Sequence, residues 1–507
     1  MHRLCFVFLA ASCAPLYVFK RFLPTMPWLT LACRANGTYG MVLAVALTLL
    51  AGCSAAPVPA LNPSVPAQWR NAANESPTAQ QADLQHWWLA FDDAELNALV
   101  DRALENNLDV AQAAEHLHAA RLLSPHAHDS YLPNLRASTN NVISPDTSES
   151  YFVVGFDAIW ELPLFGAWKS ASRIAQGNLD AANANLHGAY VSLVAEVVRR
   201  WIELRSAQQQ EQLLEAIRDA DSEKLRLLGV RVKLRLASPS ELATATAALA
   251  QADAALAEPR QAIQASAQQL AVLLGQNEPD PAWLQPGAQP QLGDWQLSTA
   301  PADLLRTRPE IAAAEAEVLH AAGELGISRA DIYPHIGIGT SLEWSVNIAS
   351  THNHVRTGEG IFSLGPTLDI PLFDWGQRVA KAHAKDHELK AAVYAYREAV
   401  LQGVAEAETA MASLQQLHAR EEASLRAAQA LQQGDTAMRK RVDLKLSSQL
   451  ELQESQLESH RAELELVSAR AARDLAYVTL YKALGGAPLP PAEQRADSGS
   501  STRKDKR

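Results

Sequence analysis

Two glutamates, Glu451 and Glu454, stand three residues apart in the stretch KLSSQLELQE (445–454), a spacing that puts both carboxylates on one face of a helix. Like charges held together favour cations and raise one another's pKa; on an ordinary helix the same pair is a solvated face. An earlier stretch, RLASPSEL (235–242), has a related pattern with one acid, Glu241, and Thr244 where the second would fall. Histidines occur at donor spacing as His126/His128 and His352/His354, but neither pair has nearby the further ligands that zinc requires. No Gly-x-Ser-x-Gly, His-Glu-x-x-His or phosphate-loop pattern occurs, so neither a metal nor an enzymatic role is assigned.

Cys53 is the cysteine with a chemical context. The apolar run MVLAVALTLLAGCSAAP from Met41 has the length of a signal-peptide core and ends in small residues directly before it. This looks like a bacterial lipobox, which predicts a signal peptide over 1–52, with Met1, Met26 or Met41 as its start. Cys53 then becomes a lipidated first residue, and Ser54 after it points to the outer membrane. Covalent lipid is the only non-protein group expected; the alternative is a plain buried cysteine behind an uncleaved leader. Cys5, Cys13 and Cys33 all lie upstream, so the mature chain has no disulfide. Residues 1–74 contain no Asp or Glu, and without Arg3, Lys20, Arg21 and Arg34 the formal charge falls from -12 to -16. A surface that acidic excludes nucleic acid as a partner.

The elements that carry these residues come in two copies. Residues 53–92 read as a Pro- and Ala-rich tether. A first repeat at 93–279 has short helices at 93–107 and from Leu108 to about Ser130, strands at about 135–144 and 151–162, and long helices at about 168–235 and 240–274. A linker at 280–302 leads to a second repeat at 303–486, with strands at about 335–346 and 360–371 and long helices at about 377–444 and 449–484. The remainder, 487–507, is composed like a disordered tail. The strand at 151–162 alternates with period two, one face wholly apolar and the other mixed, and Phe362 to Ile370 repeat that face; the helices carry heptad seams such as Tyr190, Val194, Val197, Trp201 and Leu204. At each strand-to-helix boundary stands a Pro-Leu-Phe phrase, Pro163 with Gly166 following and Pro371 with Gly376. Proline ends ladder pairing, and glycine lets the backbone swivel. The aromatics there, Trp160, Phe165, Trp168, Phe373 and Trp375, suit either an interfacial belt or packing at a joint.

Strand count decides the assembly. Four strands leave open edges, and no open sheet survives in lipid, whereas three chains supply twelve strands, enough to close a barrel. A homotrimer is therefore expected, with twelve long helical segments continuing the barrel as a tube. The fold class is mostly α with a small β part, in two tandem repeats.

From WWLAFDDAELNALVDRALENNLDV (87–110) through both repeats to Gly486, the chain resembles the TolC-like outer-membrane efflux proteins (outer membrane factors), specifically their OprM/NodT-type lipoprotein branch. The resemblance implies a lipid-anchored trimeric duct in the bacterial outer membrane, extending into the periplasm. Its implied partners are a periplasmic adaptor, an inner-membrane pump, outer-membrane lipid and a small-molecule cargo such as a drug. It also implies that the turns between paired helices form a periplasmic gate: Glu451, Glu454 and Glu241 match the family's acids, while Arg235 and Lys445 stand where glycine is usual. Other readings are an outer-membrane component for type I secretion or metal efflux, or a coiled-coil lipoprotein that spaces the envelope.

Overall fold

The computed structural model describes residues 57–62, 65–71, 80–81, 83–142, 151–293, 295–296, 307–347 and 358–489. The leader, Cys53, the histidines at 352 and 354 and the tail from 490 lie outside them. Eight helices carry the described fold: α1 (Ala94–Asn106), α2 (Leu108–Leu123), α3 (Ala167–Lys233), α4 (Pro239–Ala255), α5 (Ala257–Leu273), α6 (Pro309–Ala330), α7 (Gln377–Asp443) and α8 (Gln449–Ala483). Four strands, β1 (Asn134–Val142), β2 (Tyr151–Glu161), β3 (His335–Asn347) and β4 (Gly358–Asp369), form one antiparallel sheet in the order β1-β2-β3-β4. The chain is thus mostly helical with a small sheet, and no helix among the described residues is long and apolar enough to cross a membrane.

The duplication is close to exact in length. Helices α3 and α7 each have 67 residues and are offset by 210 positions at both ends, as are the starts of α4 and α8. At 1.5 Å per residue each is about 100 Å long. Heptad residues bury the facing sides: Val194, Val197 and Leu204 on α3, and Val400, Ala407 and Leu414 on α7. A second, aromatic part of the core gathers Trp87 and Phe91 against Tyr477 and Tyr481, with Trp87 stacked on Tyr481 at 5.5 Å.

Two helix boundaries differ from expectation, and proline explains both. The helix from Leu108 ends at Leu123 instead of reaching Ser130, and two 3-10 turns follow, because Pro125 has no N–H for the Arg121 carbonyl. The return helix expected over 240–274 is broken at Leu256 into α4 and α5, because Pro259 likewise has no N–H for the Ala255 carbonyl. Its counterpart α8, with Ala469 at the matching position, runs unbroken.

The sheet is two-faced. Register places Phe156 beside Leu342 and Leu342 beside Phe362, and Trp160, Ile338, Leu135, Trp344, Leu364 and Leu368 fall on the same face. All of these except Leu342 are exposed large apolar side chains. The opposite face carries Arg136, Asp157, Ser341 and Ser363 in one row, with Ser138 bonded to Asp157 at 3.1 Å and Ser341 to Ser363 at 2.7 Å. Among the described residues, strands β1 and β4 each pair on one side only.

Candidate functional site

Each pair of long helices turns at a tip, and the two tips are built alike. Helix α3 ends with Arg235 in the left-handed conformation (φ 58°); its N–H bonds to the Val232 carbonyl at 3.0 Å, and that of Leu236 bonds to Arg231 at 2.8 Å. Helix α7 ends identically at Lys445 (φ 60°), with bonds of 2.8 Å to Val442 and from Leu446 to Arg441. This is a Schellman ending, whose left-handed position favours glycine because glycine has no Cβ to clash. Gly275 and Gly485 occupy it at the far ends of α5 and α8, in the same hydrogen-bond pattern. The cations at the tips are therefore held in a conformation that an L side chain resists.

The acids at the tips have a structural task. Ser448 caps α8: its hydroxyl accepts from the Glu451 N–H at 3.2 Å, and the Glu451 carboxylate accepts from the Ser448 N–H at 2.7 Å. Ser238 and Glu241 make the same reciprocal box on α4, at 3.2 and 2.6 Å. Those backbone donors hold both carboxyls below the usual glutamate range, the opposite direction from the rise expected of crowded like charges. Glu454 faces elsewhere. It pairs with Lys224 on α3 at 3.1 Å, tying the second repeat's hairpin to the first. One turn above, Asp221 is buried and its pKa is raised by that burial, with Arg461 and Lys224 opposing the rise. The tip residues named from the sequence thus divide into two boxes, two left-handed cations and one cross-tie. Sequence spacing had put Glu451 and Glu454 together, and their partners separate them.

At the joints, Pro163 and Pro371 follow β2 and β4 and precede tight turns. Leu164 N–H reaches back over Pro163 to the Leu162 carbonyl at 2.8 Å. Next, Phe165 (φ 53°) and Gly166 (φ 83°) form a two-residue turn closed by Ala167 N–H to Leu164 O at 3.1 Å. The second joint makes the same turn with Trp375 (φ 57°) and Gly376 (φ 80°), closed by Gln377 to Asp374 at 3.1 Å. The prolines are 208 apart but the glycines 210, so the second half has two extra residues and Trp375, not Phe373, is the equivalent of Phe165. Asp374 uses the extra length to cap α7, accepting from Gly376 N–H and Arg378 N–H at 3.0 Å each. The aromatics divide by joint. Phe165 stacks on Tyr333 at 4.6 Å and Trp160 donates to the Tyr131 carbonyl, whereas Phe373 and Trp375 pair with each other and stand exposed.

The histidines of the first repeat are separately engaged. His126 bonds Asp129 at 2.7 Å, while His128 stacks on Trp168 at 3.9 Å and meets Ser172 at 3.0 Å. Among the described residues no group of three or more His, Cys, Asp and Glu is placed to hold a metal ion.

One feature the sequence did not announce is how the tether is fixed. The carboxylate of buried Glu408 on α7 accepts the N–H of Arg70 at 2.7 Å and of Asn71 at 3.0 Å; Gln415 donates to the Asn71 carbonyl at 2.9 Å. Partners 337 residues apart leave no local signal.

The outer membrane efflux protein family matches this chain twice, over residues 99–276 and 300–486. The pyoverdine export outer membrane protein OpmQ of Pseudomonas aeruginosa is 27% identical over 467 residues, 87% of this chain and 95% of that protein. The outer membrane protein OprJ of the same species is 28% identical over 459 residues, covering 88% and 95%. Among solved structures, the outer-membrane channel OprN superposes with a TM-score of 0.73 at 25% identity, over 86% of this chain and all of that one. The open state of the Neisseria gonorrhoeae MtrE channel gives 0.71 at 25% identity, over 86% and 98%. With its duplicated helices, its two-faced sheet and a match to both repeats, the chain belongs to the outer membrane efflux protein family, as an efflux channel of the outer membrane in a family of channels rather than of enzymes.

Proposed function

We propose that three copies of this chain close their sheets edge to edge into a twelve-strand barrel and form a passive duct for drugs or other small solutes. The observation that carries this is the sheet: one face dominated by large apolar side chains, the other mostly polar, and both edges without a partner strand among the described residues. In lipid an open edge leaves backbone N–H and C=O groups unsatisfied at several kcal/mol each, and only closure removes it. An apolar outer band around a polar interior is the pattern of transmembrane barrels. Energy and selection of cargo come from a periplasmic adaptor and an inner-membrane pump.

Cys53 carries covalent lipid in this reading. The tether supports it: Pro57 and Pro59 lie in a groove with Leu325 and Arg329, and β3 begins only six residues after Arg329. At the other end, the Lys224–Glu454 tie holds the two hairpins of a subunit together and acts as a latch on the periplasmic opening. The test is purified protein in planar bilayers with its mass measured in detergent. A trimer that conducts is expected; a trimer that forms no pore leaves an envelope spacer as the reading.

A further inference from the structure

Two pairs of metal-binding side chains stand on the helices below the sheet. On α7, His383 and His387 are four residues apart, and on α2, Glu115 and His118 are three apart; all four are exposed. Both spacings put two donors on one helix face, as the His-x-x-x-His and Glu-x-x-His pairs of helical metal sites do. Among the described residues none of the four side chains makes a hydrogen bond or an ion pair. Asp386, between the histidines, is taken by Arg329 at 3.1 Å and Lys390 at 2.7 Å. Either pair alone is half a site, since tetrahedral zinc requires four ligands.

The internal repeat says where the halves meet. The equivalents of His383 and His387, 210 positions earlier, are Arg173 and Gly177 on α3; those of Glu115 and His118, 201 positions later, are Ala316 and Leu319 on α6. These two helices touch there. A Cβ on Gly177 would come within 2.8 Å of the Ala316 carbonyl, and Ala316 and Leu319 share a cavity with Asp180 and Ala184, one and two turns along from Gly177. In the trimer proposed above, α2 of one subunit meets α7 of the next as α6 meets α3 within the chain. That contact covers exposed Leu122 and Tyr394, the equivalents of buried Gly323 and Ala184. It sets His387 over Glu115 of the partner subunit, with His118 of the partner subunit at the same level and His383 one turn above. A histidine where the internal seam has glycine holds the helices further apart, and all four donors face the gap.

We propose that a divalent transition-metal ion of the zinc type binds in each gap, held by His383 and His387 of one subunit and by Glu115 and His118 of the partner subunit. Three imidazoles and one carboxylate make a nitrogen-rich set that suits zinc, whereas magnesium and calcium demand oxygen ligands. Arg173, Gly177, Ala316 and Leu319 supply no such set, so the seam inside the chain has no site. A trimer carries three ions in a ring about 15 Å from the sheet end of α7, where they clamp neighbouring subunits. The site rests on the trimer reading and is complete only in the assembly, in keeping with the lack of any group of three such ligands among the described residues of one chain.

Zinc binding to the full-length protein in detergent tests this. After treatment with a chelator and dialysis against Zn2+, the trimer is expected to keep one tightly bound zinc per subunit. His383→Ala, His387→Ala and His118→Ala should each weaken that binding about 100-fold or more, while His116→Ala, off this face of α2, should leave it unchanged. A chain with His118→Ala and a chain with both His383→Ala and His387→Ala each lack the site. Co-expressed, they should recover about one site in four, because only a seam between the intact α2 of one and the intact α7 of the other is complete. Trimers that hold no zinc, zinc that survives all three variants, or a mixture that recovers none overturns the site and leaves the trimer standing. A monomeric mass of the unmodified protein sinks the trimer reading itself. Should a variant fail to fold, Co2+ bound to the unmodified trimer serves: the intense visible bands of a four-coordinate ion are expected, and the weak bands of six-coordination refute the ligand set.

Discussion

Replacing Asp474 by asparagine should make the protein more stable at pH 8 and change little near pH 4. Asp474 on α8 is 1% exposed; its Oδ1 accepts from Arg473, and its Oδ2 has no hydrogen-bond partner among the described residues. Burial pushes its pKa up to about 7, against the pull of Arg473 and with the added push of Glu421, which itself pairs with Arg470 and Arg473. Below about pH 4 the carboxyl is protonated in both folded and unfolded states, and no penalty exists. Between about 4 and 7 the unfolded chain ionises while the folded one resists, at roughly 1.4 kcal/mol per pH unit. Above 7 both are ionised and the whole difference, on the order of 4 kcal/mol per chain, counts against the fold. Asparagine removes the charge, while Arg473 keeps Glu421 and the Leu292 carbonyl as partners. Thermal unfolding in detergent, followed by circular dichroism at several pH values, would read this as a gap between the two midpoints that opens from pH 4 to 8. Parallel curves for the two proteins would refute the reasoning.

Arg235→Gly and Lys445→Gly should each stabilise the chain by about 0.5–1 kcal/mol, since glycine tolerates the left-handed position, and a lower midpoint for either would count against it. Conversely, Gly376→Ala at φ 80° should cost about 1 kcal/mol or more although open space surrounds it, measurable as a lower unfolding midpoint. Breaking the cross-tie with Lys224→Ala or Glu454→Gln should raise the resting conductance of single channels, while Glu451→Gln, which keeps an acceptor for the Ser448 N–H, should not; equal conductance across all three would remove the latch. Glu408→Ala leaves two tether N–H groups without their acceptor, so trypsin should cut after Arg70 about tenfold faster or more, and an unchanged rate would show that the tether is held by other contacts.

Elements with a long period were legible in the sequence. The heptad on α7 and the alternation on β2 put the helices and strands within a few residues of where they lie, because burial of one face enforces the pattern over many positions. Single-residue events were harder. Pro125 and Pro259 each interrupt a helix that the apolar period carries straight through. At the tips, spacing identified Glu451 and Glu454 but not their tasks: one is set by a serine three residues away, the other by Lys224 some 230 positions earlier. The letters of the repeated Pro-Leu-Phe phrase align Phe165 with Phe373, yet the turn geometry aligns Phe165 with Trp375.

The middle of the sheet is the pairing of β2 with β3, in which Phe156 meets Leu342, two strands that belong to different halves of the chain. Chain segments so far apart in sequence meet late, since their long loop must be ordered first, whereas the helical hairpins at the tips need only neighbouring residues. During export the amino-terminal hairpin therefore waits, its apolar face and edge uncovered, until some 190 further residues have crossed the inner membrane. Protection of that face and edge in the interval is a demand built into the order of the strands.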